Sequence, residues 1–146
     1  MVSGEIVNFS GRVISFRDII LKLLIERKLK LDLKNKFVFF CGPLILKNKI
    51  ISCGPTTSKR MEYGIPFLFK LGIKGIIGKG VLKKDIFKNN GYYLIAVGGA
   101  GTYTARRIKS FKCISLPELG PEACYEIEFE NLPLLVAIDK KGRSVF

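Results

Sequence analysis

The chain has 146 residues, of which 48% are hydrophobic and 25% charged, a size and balance typical of one globular domain with a substantial core. Its formal net charge of +13 favours anionic ligands, but the chain has no block of five or more basic residues of the kind common in nucleic-acid-binding tails. The absence of histidine excludes Ser-His-Asp and Cys-His nucleophile pairs within the chain.

The apolar segments bear on cellular location. Lys or Arg interrupts each of them before the roughly 18 residues that a membrane span requires. The first 13 residues carry Glu5 and lack the basic and then apolar order of a secretory signal. We therefore expect a cytoplasmic protein without a membrane partner.

The cysteines are too widely spaced for a metal motif. Four are present, at Cys41, Cys53, Cys113 and Cys124, and none of them forms a CxxC pair. Each lies beside apolar residues, which favours buried reduced thiols over metal ligation. We expect no metal ligands in this chain.

The first half of the chain alternates between predicted strands and helices. Residues 5–16 alternate as in a strand, or a hairpin around Gly11. Residues 17–30 place apolar side chains at helical spacing, which predicts an amphipathic helix of about four turns. Short apolar runs at 37–41 and 49–53 predict two buried strands separated by turns.

The stretch CGPTTSKRM at 53–61 carries the most specific local pattern. A strand that ends in Gly54-Pro55 and enters a helix through Ser or Thr would direct free N–H groups and the positive end of the helix dipole at a bound anion. An ordinary helix cap with a surface arginine is the alternative, and the local pattern alone favours it.

A predicted helix at 58–71 follows this stretch, with a kink or a break at Pro66 and a C-cap at Gly72. The next apolar run predicts a strand that ends in the loop Gly78-Lys79-Gly80. Flanking glycines let a backbone approach a ligand closely, although the surrounding residues do not form a Walker A loop.

The second half of the chain is richer in predicted strands. In order, its patterns predict one or two helical turns at 83–90, a strand at 92–97, a helix at 102–110, strands at 111–116 and 124–131, and a hairpin at 134–146. The small residues at 98–101 favour close packing over phosphate binding. The whole pattern predicts one strand-rich α/β domain.

Five motifs together carry a family resemblance. In chain order they are GPTTSKRM (54–61), GIKGIIGKG (72–80), YLIAVGGAG (93–101), PEACYEIEFENLP (121–133) and VAIDKKGRS (136–144). In this order and spacing they resemble the C-terminal domain of the class I, iron–sulfur-dependent fumarate hydratases and L-tartrate dehydratases, which is a separate β subunit in two-subunit members.

The resemblance implies a fold, a partner and a cofactor. The fold implied is a swivelling β/β/α three-layer α/β domain that covers residues 1–146 as a single unit. The implied [4Fe–4S] cluster is bound by a partner α subunit and not by this chain. Activity is then expected only in a hetero-oligomer, such as a heterotetramer.

The resemblance also implies the site residues. The GPTT-x-x-R motif implies Thr56, Thr57 and Arg60, and the GKG loop implies Lys79. The arginine of the family's RD-x-AH segment falls on Arg17, although Ile-Leu replaces Ala-His here. All five are implied to bind substrate, with Thr56 and Lys79 also implied in catalysis.

These residue types suit a dicarboxylate substrate. Arginine grips a carboxylate through paired hydrogen bonds, which suits Arg17 and Arg60, and lysine adds a compact charge. Lys79 would bind a carboxylate or stabilise the aci-carboxylate that forms on proton removal. Thr56 would relay a proton, but an alcohol needs a neighbouring base, which we expect in the partner subunit.

The implied reaction is the reversible hydration of fumarate to L-malate. Dehydration of L-tartrate is the alternative, and the motifs do not separate the two because both substrates carry two carboxylates and an α-hydroxyl. A basic nucleic-acid-binding module is a remote third hypothesis. It predicts aromatic residues interleaved with Lys and Arg, whereas most of the 11 Phe and 5 Tyr residues lie in apolar runs.

Overall fold

The computed structural model describes residues 1–96 and 101–146, without the side chain of Thr102. Its strands are β1 (Ile6–Phe16), β2 (Phe37–Phe40), β3 (Leu44–Leu46), β4 (Lys49–Ser52), β5 (Gly75–Gly78), β6 (Tyr92–Ala96), β7 (Ile108–Ser115) and β8 (Cys124–Ile138). Its α-helices are α1 (Asp18–Ile25), α2 (Ile65–Lys70) and α3 (Gly101–Ala105). Three 3₁₀ segments complete the described elements, at Ser58–Gly64, Lys84–Ile86 and Pro117–Glu122.

Six of the eight described strands form a mixed sheet that curls back on itself, and β3 and β4 form a separate antiparallel hairpin. Within the described ranges its order is β1-β2-β5-β6-β8-β7, and β8 also pairs with β1. The first four of these strands are parallel, whereas β8 is antiparallel to β1, β6 and β7. The 15 residues of β8 allow this double use, because residues 124–129 pair with β7 and residues 134–138 pair with β6. The result is a partly closed, barrel-like sheet in a mixed α/β chain.

The core lies on both faces of the parallel strands. All four residues of β2 are buried, as are all four of β5, which explains their continuous apolar sequences. Val38 and Phe40 pack with α1 and α2 on one face. Phe37 and Phe39 face β8 and the β3–β4 hairpin on the other. Burial on both faces fixes the register of these strands and therefore the position of the loops that follow them.

Several predictions in the first half change in detail. The alternating residues form the single strand β1 and not a hairpin around Gly11. A register shift in its pairing with β8 occurs between Phe9 and Gly11. The four-turn helix predicted at 17–30 is wrong in length, since α1 ends at Ile25 and Arg27 adopts a positive φ of 58°. The break predicted near Pro66 is confirmed, because a 3₁₀ segment gives way to α2 one residue earlier.

The second half departs further from the sequence pattern. The helix predicted at 102–110 is wrong beyond Ala105, because residues from Ile108 onward pair with β8 as strand β7. The hairpin predicted at 134–146 is confirmed at its turn, since Ile138 bridges Ser144, but its first strand is the continuation of β8. The glycine-rich turn predicted at 98–101 lies outside the described residues except for Gly101. Among the described helices, none is long and apolar enough to cross a membrane.

Candidate functional site

The candidate site lies at the carboxyl edge of the parallel strands. Arg17 follows β1, Cys41 follows β2 and Lys79 follows β5. The ends of these strands are adjacent, since Phe16 pairs with Phe40. Parallel strands present their carboxyl ends at one edge of a sheet, and this is the edge at which open α/β sheets bind ligands.

The stretch at 53–58 docks along this edge through its backbone. Pro55 forms a bridge with Cys41. The Thr56 N–H donates to the Phe40 carbonyl oxygen at 2.7 Å, and the Thr56 hydroxyl donates to the same oxygen at 3.0 Å. The Thr56 hydroxyl is therefore oriented by the end of β2, with its lone pairs left for other donors.

A second set of hydrogen bonds joins this stretch to the Lys79 loop. The Ser58 N–H donates to the Lys79 carbonyl at 2.9 Å, and the Lys79 N–H donates to Ser58 Oγ at 3.0 Å. Below them, the buried Tyr93 hydroxyl donates to the Gly80 carbonyl at 2.8 Å and lies 3.4 Å from Ser58 Oγ. Burial raises the pKa of Tyr93 to about 12, which keeps this donor protonated. The side chains of Ser58 and Tyr93, which the sequence did not single out, thus hold the backbone of Lys79 and of Gly80 respectively.

The helix-cap interpretation of CGPTTSKRM is wrong. Residues 58–64 form a 3₁₀ segment, and its N-cap residue Thr57 makes no side-chain capping bond. The first N–H of this segment, that of Ser58, is already used by Lys79. The Ser58 N–H is therefore not free to receive an anion.

Arg60 projects from the 3₁₀ segment into an ion pair. Its Nε donates to Asp18 Oδ2 at 2.7 Å and its Nη2 donates to Asp18 Oδ1 at 3.2 Å. The hydrogen bond with Asp18 raises the pKa of Arg60 above its ordinary value, and Glu122 adds a smaller effect of the same sign. This two-point contact fixes the plane of an exposed guanidinium group.

Arg17 forms a second pair beside the first. Its Nε lies 3.2 Å from Glu122 Oε2, although it has no well-aligned hydrogen bond within the described part of the chain. A Cβ at Gly42 would come within 2.8 Å of Arg17 Cδ, so the glycine makes room for this side chain. Glu122 Oε1 also accepts the Ile19 N–H at 3.3 Å. Two arginines and two carboxylates therefore form one cluster at the start of α1.

Lys79 borders a small hollow of about 190 Å³. Its lining residues are Gly54, Pro55, Gly78, Lys79, Gly80, Ile95 and Ala96. Pockets for drug-sized ligands occupy roughly 300–1,000 Å³, so this hollow is suited to a small ligand or to part of a shared site. The lysine side chain itself is exposed.

The structure brings the five sequence-derived residues to one edge in two groups. Arg17 and Arg60 share the cluster with the carboxylates, whereas Thr56, Thr57 and Lys79 belong to the joined loops. Sequence reasoning missed four supporting residues: Asp18, Ser58, Tyr93 and Glu122. Ser58, Tyr93 and Glu122 lie inside the five motifs and Asp18 directly follows Arg17, but hydroxyl and carboxylate groups reveal their partners only in three dimensions.

The described residues do not offer a site for an iron–sulfur cluster. No group of three or more His, Cys, Asp or Glu side chains that could hold a metal ion occurs within 1–96 and 101–146. Cys41 and Cys53 contact each other, and Cys113 and Cys124 lie on or beside the β7–β8 pair. This arrangement does not fit the set of thiolates that holds a cluster.

The whole chain matches a known family. A family model described as "Fumarase C-terminus" covers residues 1–146. The chain belongs to the fumarase C-terminus family. This confirms the resemblance that the five motifs indicate.

Relatives of this fumarase C-terminus chain differ in length. A putative L(+)-tartrate dehydratase subunit beta of Methanocaldococcus jannaschii is 36% identical over 98% of the chain and 82% of its own length. The L(+)-tartrate dehydratase subunit beta of Escherichia coli K12 is 30% identical over 97% of the chain and 77% of its own length. A putative fumarate hydratase class I of Geobacillus stearothermophilus is 32% identical over 97% of the chain. The chain spans 30% of that longer protein.

Proposed function

We propose that this chain is the β subunit of a heteromeric iron–sulfur hydro-lyase that reversibly hydrates fumarate to L-malate. The observation that carries the proposal is the gathering of Arg17, Arg60, Lys79 and Thr56 at one strand edge beside a hollow too small to be a complete pocket. Residues 1–146 would act as one swivelling β/β/α three-layer domain. Its motion would open and close this edge against the partner.

The arginine cluster would bind the carboxylate groups of the substrate. Asp18 engages Nε and Nη2 of Arg60, so the Nη1 edge of the guanidinium group can face a substrate carboxylate. Arg17 adds a second positive charge, partly balanced by Glu122. Two fixed cations suit a ligand with two negative charges, because ordering them before binding lowers the entropic cost of recognition.

The Lys79 loop supplies charge where negative charge develops. Proton removal next to a carboxylate places a second negative charge on that group, and a fixed ammonium group stabilises it. Thr56 would orient the substrate through its hydroxyl oxygen. To relay a proton, that hydroxyl would release the Phe40 carbonyl to which it now donates. The base that receives the proton would come from the partner subunit.

The cofactor and its partner belong to the same proposal. The cluster would reside on an α subunit, because the described cysteines of this chain do not form a cluster site. When bound there it would supply a Lewis acid for the substrate hydroxyl. This chain would contribute its cationic side chains and the threonines Thr56 and Thr57. Activity would require both subunits in a hetero-oligomer.

L-Tartrate dehydration is the second candidate function. The observation that favours it is the naming of relatives that match this chain over most of their own length, among them a putative L(+)-tartrate dehydratase subunit beta and an L(+)-tartrate dehydratase subunit beta. The strand edge described above would serve either substrate, since each carries two carboxylates.

The test is anaerobic co-expression with a candidate cysteine-bearing α subunit. Fumarate hydration and L-tartrate dehydration are then measured side by side on the purified complex. Faster turnover of fumarate supports the first assignment, and faster turnover of tartrate replaces it with the second. Activity from this chain alone would overturn the shared site, and a complex that turns over neither substrate would overturn both assignments.

A further inference from the structure

Two buried cysteines contact each other at the start of the stretch at 53–58. The Sγ atoms of Cys41 and Cys53 are 2.7 Å apart, and both residues have no exposed surface. We propose that Cys41 and Cys53 are a site of reversible oxidation, in which hydrogen peroxide converts the two thiols into a disulfide. This inference does not depend on the proposed function.

The backbone around both cysteines is fixed, so the two sulfur atoms cannot move apart easily. The Ser15 hydroxyl donates to the Cys41 carbonyl at 2.9 Å, and the Cys53 N–H donates to the Gly101 carbonyl at 3.0 Å. Cys41 also bridges Pro55. A disulfide bond is about 2.05 Å long, so the sulfur atoms need to approach by only about 0.7 Å.

Within the described ranges, neither of the other two cysteines makes a thiol–thiol contact of this kind, although Cys113 lies near enough to Cys124 to raise its pKa. Cys113 is exposed, and its thiol donates to the Ser115 carbonyl at 3.6 Å. Burial raises the pKa of Cys124 to about 12, as it raises that of Cys41, so the pKa does not separate the two thiols. Exposure alone would make Cys113 the first target of an oxidant. Selective pairing of Cys41 with Cys53 is therefore a specific consequence of their contact.

The oxidation proceeds in two balanced steps. The first thiolate attacks one oxygen of hydrogen peroxide, the O–O bond breaks, and a sulfenic acid and water form after proton transfer. The second thiol attacks the sulfenic sulfur, the S–S bond forms, and a second water leaves. Two thiols and one peroxide thus give one disulfide and two waters. An added dithiol reductant reverses the change by thiol–disulfide exchange.

The environment sets the speed of this reaction. Burial, reinforced by Cys53, raises the pKa of Cys41 well above its ordinary value. The Arg17 guanidinium opposes this increase in the pKa. Because the thiolate is the attacking species, the reaction is slow near neutral pH and accelerates as the pH rises. Peroxide, a molecule little larger than water, reaches the pair through local opening of the loop.

The disulfide would close the hairpin of β3 and β4 into a covalent loop from Cys41 to Cys53. Phe40, which accepts both hydrogen bonds from Thr56, immediately precedes Cys41. Oxidation therefore ties together the two strand ends that hold Thr56. We expect the oxidised protein to melt ~5–10 °C higher, from the entropy of closing a loop of this length.

The tryptic sites of the chain make the test decisive. Cleavage after Lys36, Lys47, Lys49 and Lys59 places Cys41 in the peptide 37–47 and Cys53 in the peptide 50–59. Cys113 and Cys124 share the peptide 113–140. The reduced full-length chain is treated with stoichiometric hydrogen peroxide at pH 7 and pH 9, unfolded in iodoacetamide, digested without reductant and analysed by mass spectrometry.

The expected product is the peptide 37–47 joined to 50–59, formed faster at pH 9 and lost after treatment with dithiothreitol. The Cys113→Ser variant, as a matched control, keeps this product. Cys41→Ser and Cys53→Ser both abolish it, and melting curves show that each variant is folded. Four alkylated thiols after treatment, oxidation confined to 113–140, or a disulfide that joins 113–140 to another peptide would each overturn the proposal.

Discussion

Ser58 joins the stretch at 53–58 to Lys79, and the space that Gly78 leaves for the Ser58 hydroxyl gives a quantitative prediction. A Cβ at Gly78 would overlap Ser58 Oγ and would lie 3.2 Å from Ser58 Cβ and 3.4 Å from Tyr93 Cε1. Overpacking of this kind costs about 1–3 kcal/mol of unfolding free energy. We expect Gly78→Ala to fall near the upper end of that range, because β5 is central and buried on both faces.

Ser58→Ala perturbs the same contact from the other side. It removes the acceptor of the Lys79 N–H, and loss of a partner for such a donor costs about 1–3 kcal/mol. We expect the lower end here, because Lys79 lies in an exposed loop where water can replace the hydroxyl. The double variant removes the atom that a methyl group at Gly78 would strike. Its loss of stability should therefore be smaller than the sum of the single losses by at least about 1 kcal/mol.

Urea unfolding of the four proteins, followed by circular dichroism, measures this coupling energy. Gly4→Ala is the matched control, since Gly4 has a φ of 90° but no atom within 4 Å of the place that a Cβ would occupy. Its cost should add to that of Ser58→Ala within about 0.5 kcal/mol, as for distant sites. If Gly78→Ala and Ser58→Ala add to the same accuracy, the two loops are not joined as described.

Three further predictions concern charge. Arg60→Ala should lower the hydro-lyase activity of the co-expressed complex at least 100-fold. Its free energy of unfolding should change by less than about 1 kcal/mol, because the ion pair with Asp18 is half-exposed and such pairs contribute little. Unchanged turnover would remove Arg60 from the site. Lys79→Ala should cause a similar loss of activity in that assay, whereas Lys112→Ala, an exposed lysine on β7, should leave turnover intact. Burial favours a raised pKa for Asp139, but hydrogen bonds from Ser3, Arg143 and Lys141 hold that pKa below its ordinary value. The carboxylate therefore stabilises the fold above the unfolded-state pKa of about 3.9, and this stabilisation disappears as the pH falls through the lower folded-state pKa. Asp139→Asn should be less stable at pH 7 and show a weaker acid dependence, and equal stability of the two proteins at pH 7 would contradict this.

The sequence predicts local features well where one physical effect dominates. The continuous apolar run at 37–41 predicts a buried strand, and all four residues of β2 are buried. Pro66 predicts a break in the helical segment, and the break occurs one residue before it, where α2 begins. In each case the pattern that decides the structure lies within a few consecutive residues.

Predictions fail where a distant partner decides the outcome. Residues 106–110 have a plausible helical sequence, but Ile108 pairs with Phe129 and the segment extends as a strand. Ser58 suits a helix cap, but its hydroxyl accepts the N–H of Lys79 instead. The candidate site shows the same division, since motifs pointed to the cations but not to Asp18, whose carboxylate orients Arg60.

The pairing of β8 with β1 also has a consequence for the order of folding. Ile6 pairs with Leu135 and Ser15 pairs with Tyr125, so β1 is synthesised long before β8, the strand that covers its outer edge. Pairings between such distant segments form slowly, because a long loop must close before any contact compensates its entropy. During synthesis the unpaired edge of β1 can pair with other chains and lead to aggregation. We therefore expect co-expression with the candidate α subunit at low temperature to improve the yield of folded protein. The outer edge of β1 is thus covered only after residues 124–138 have left the ribosome.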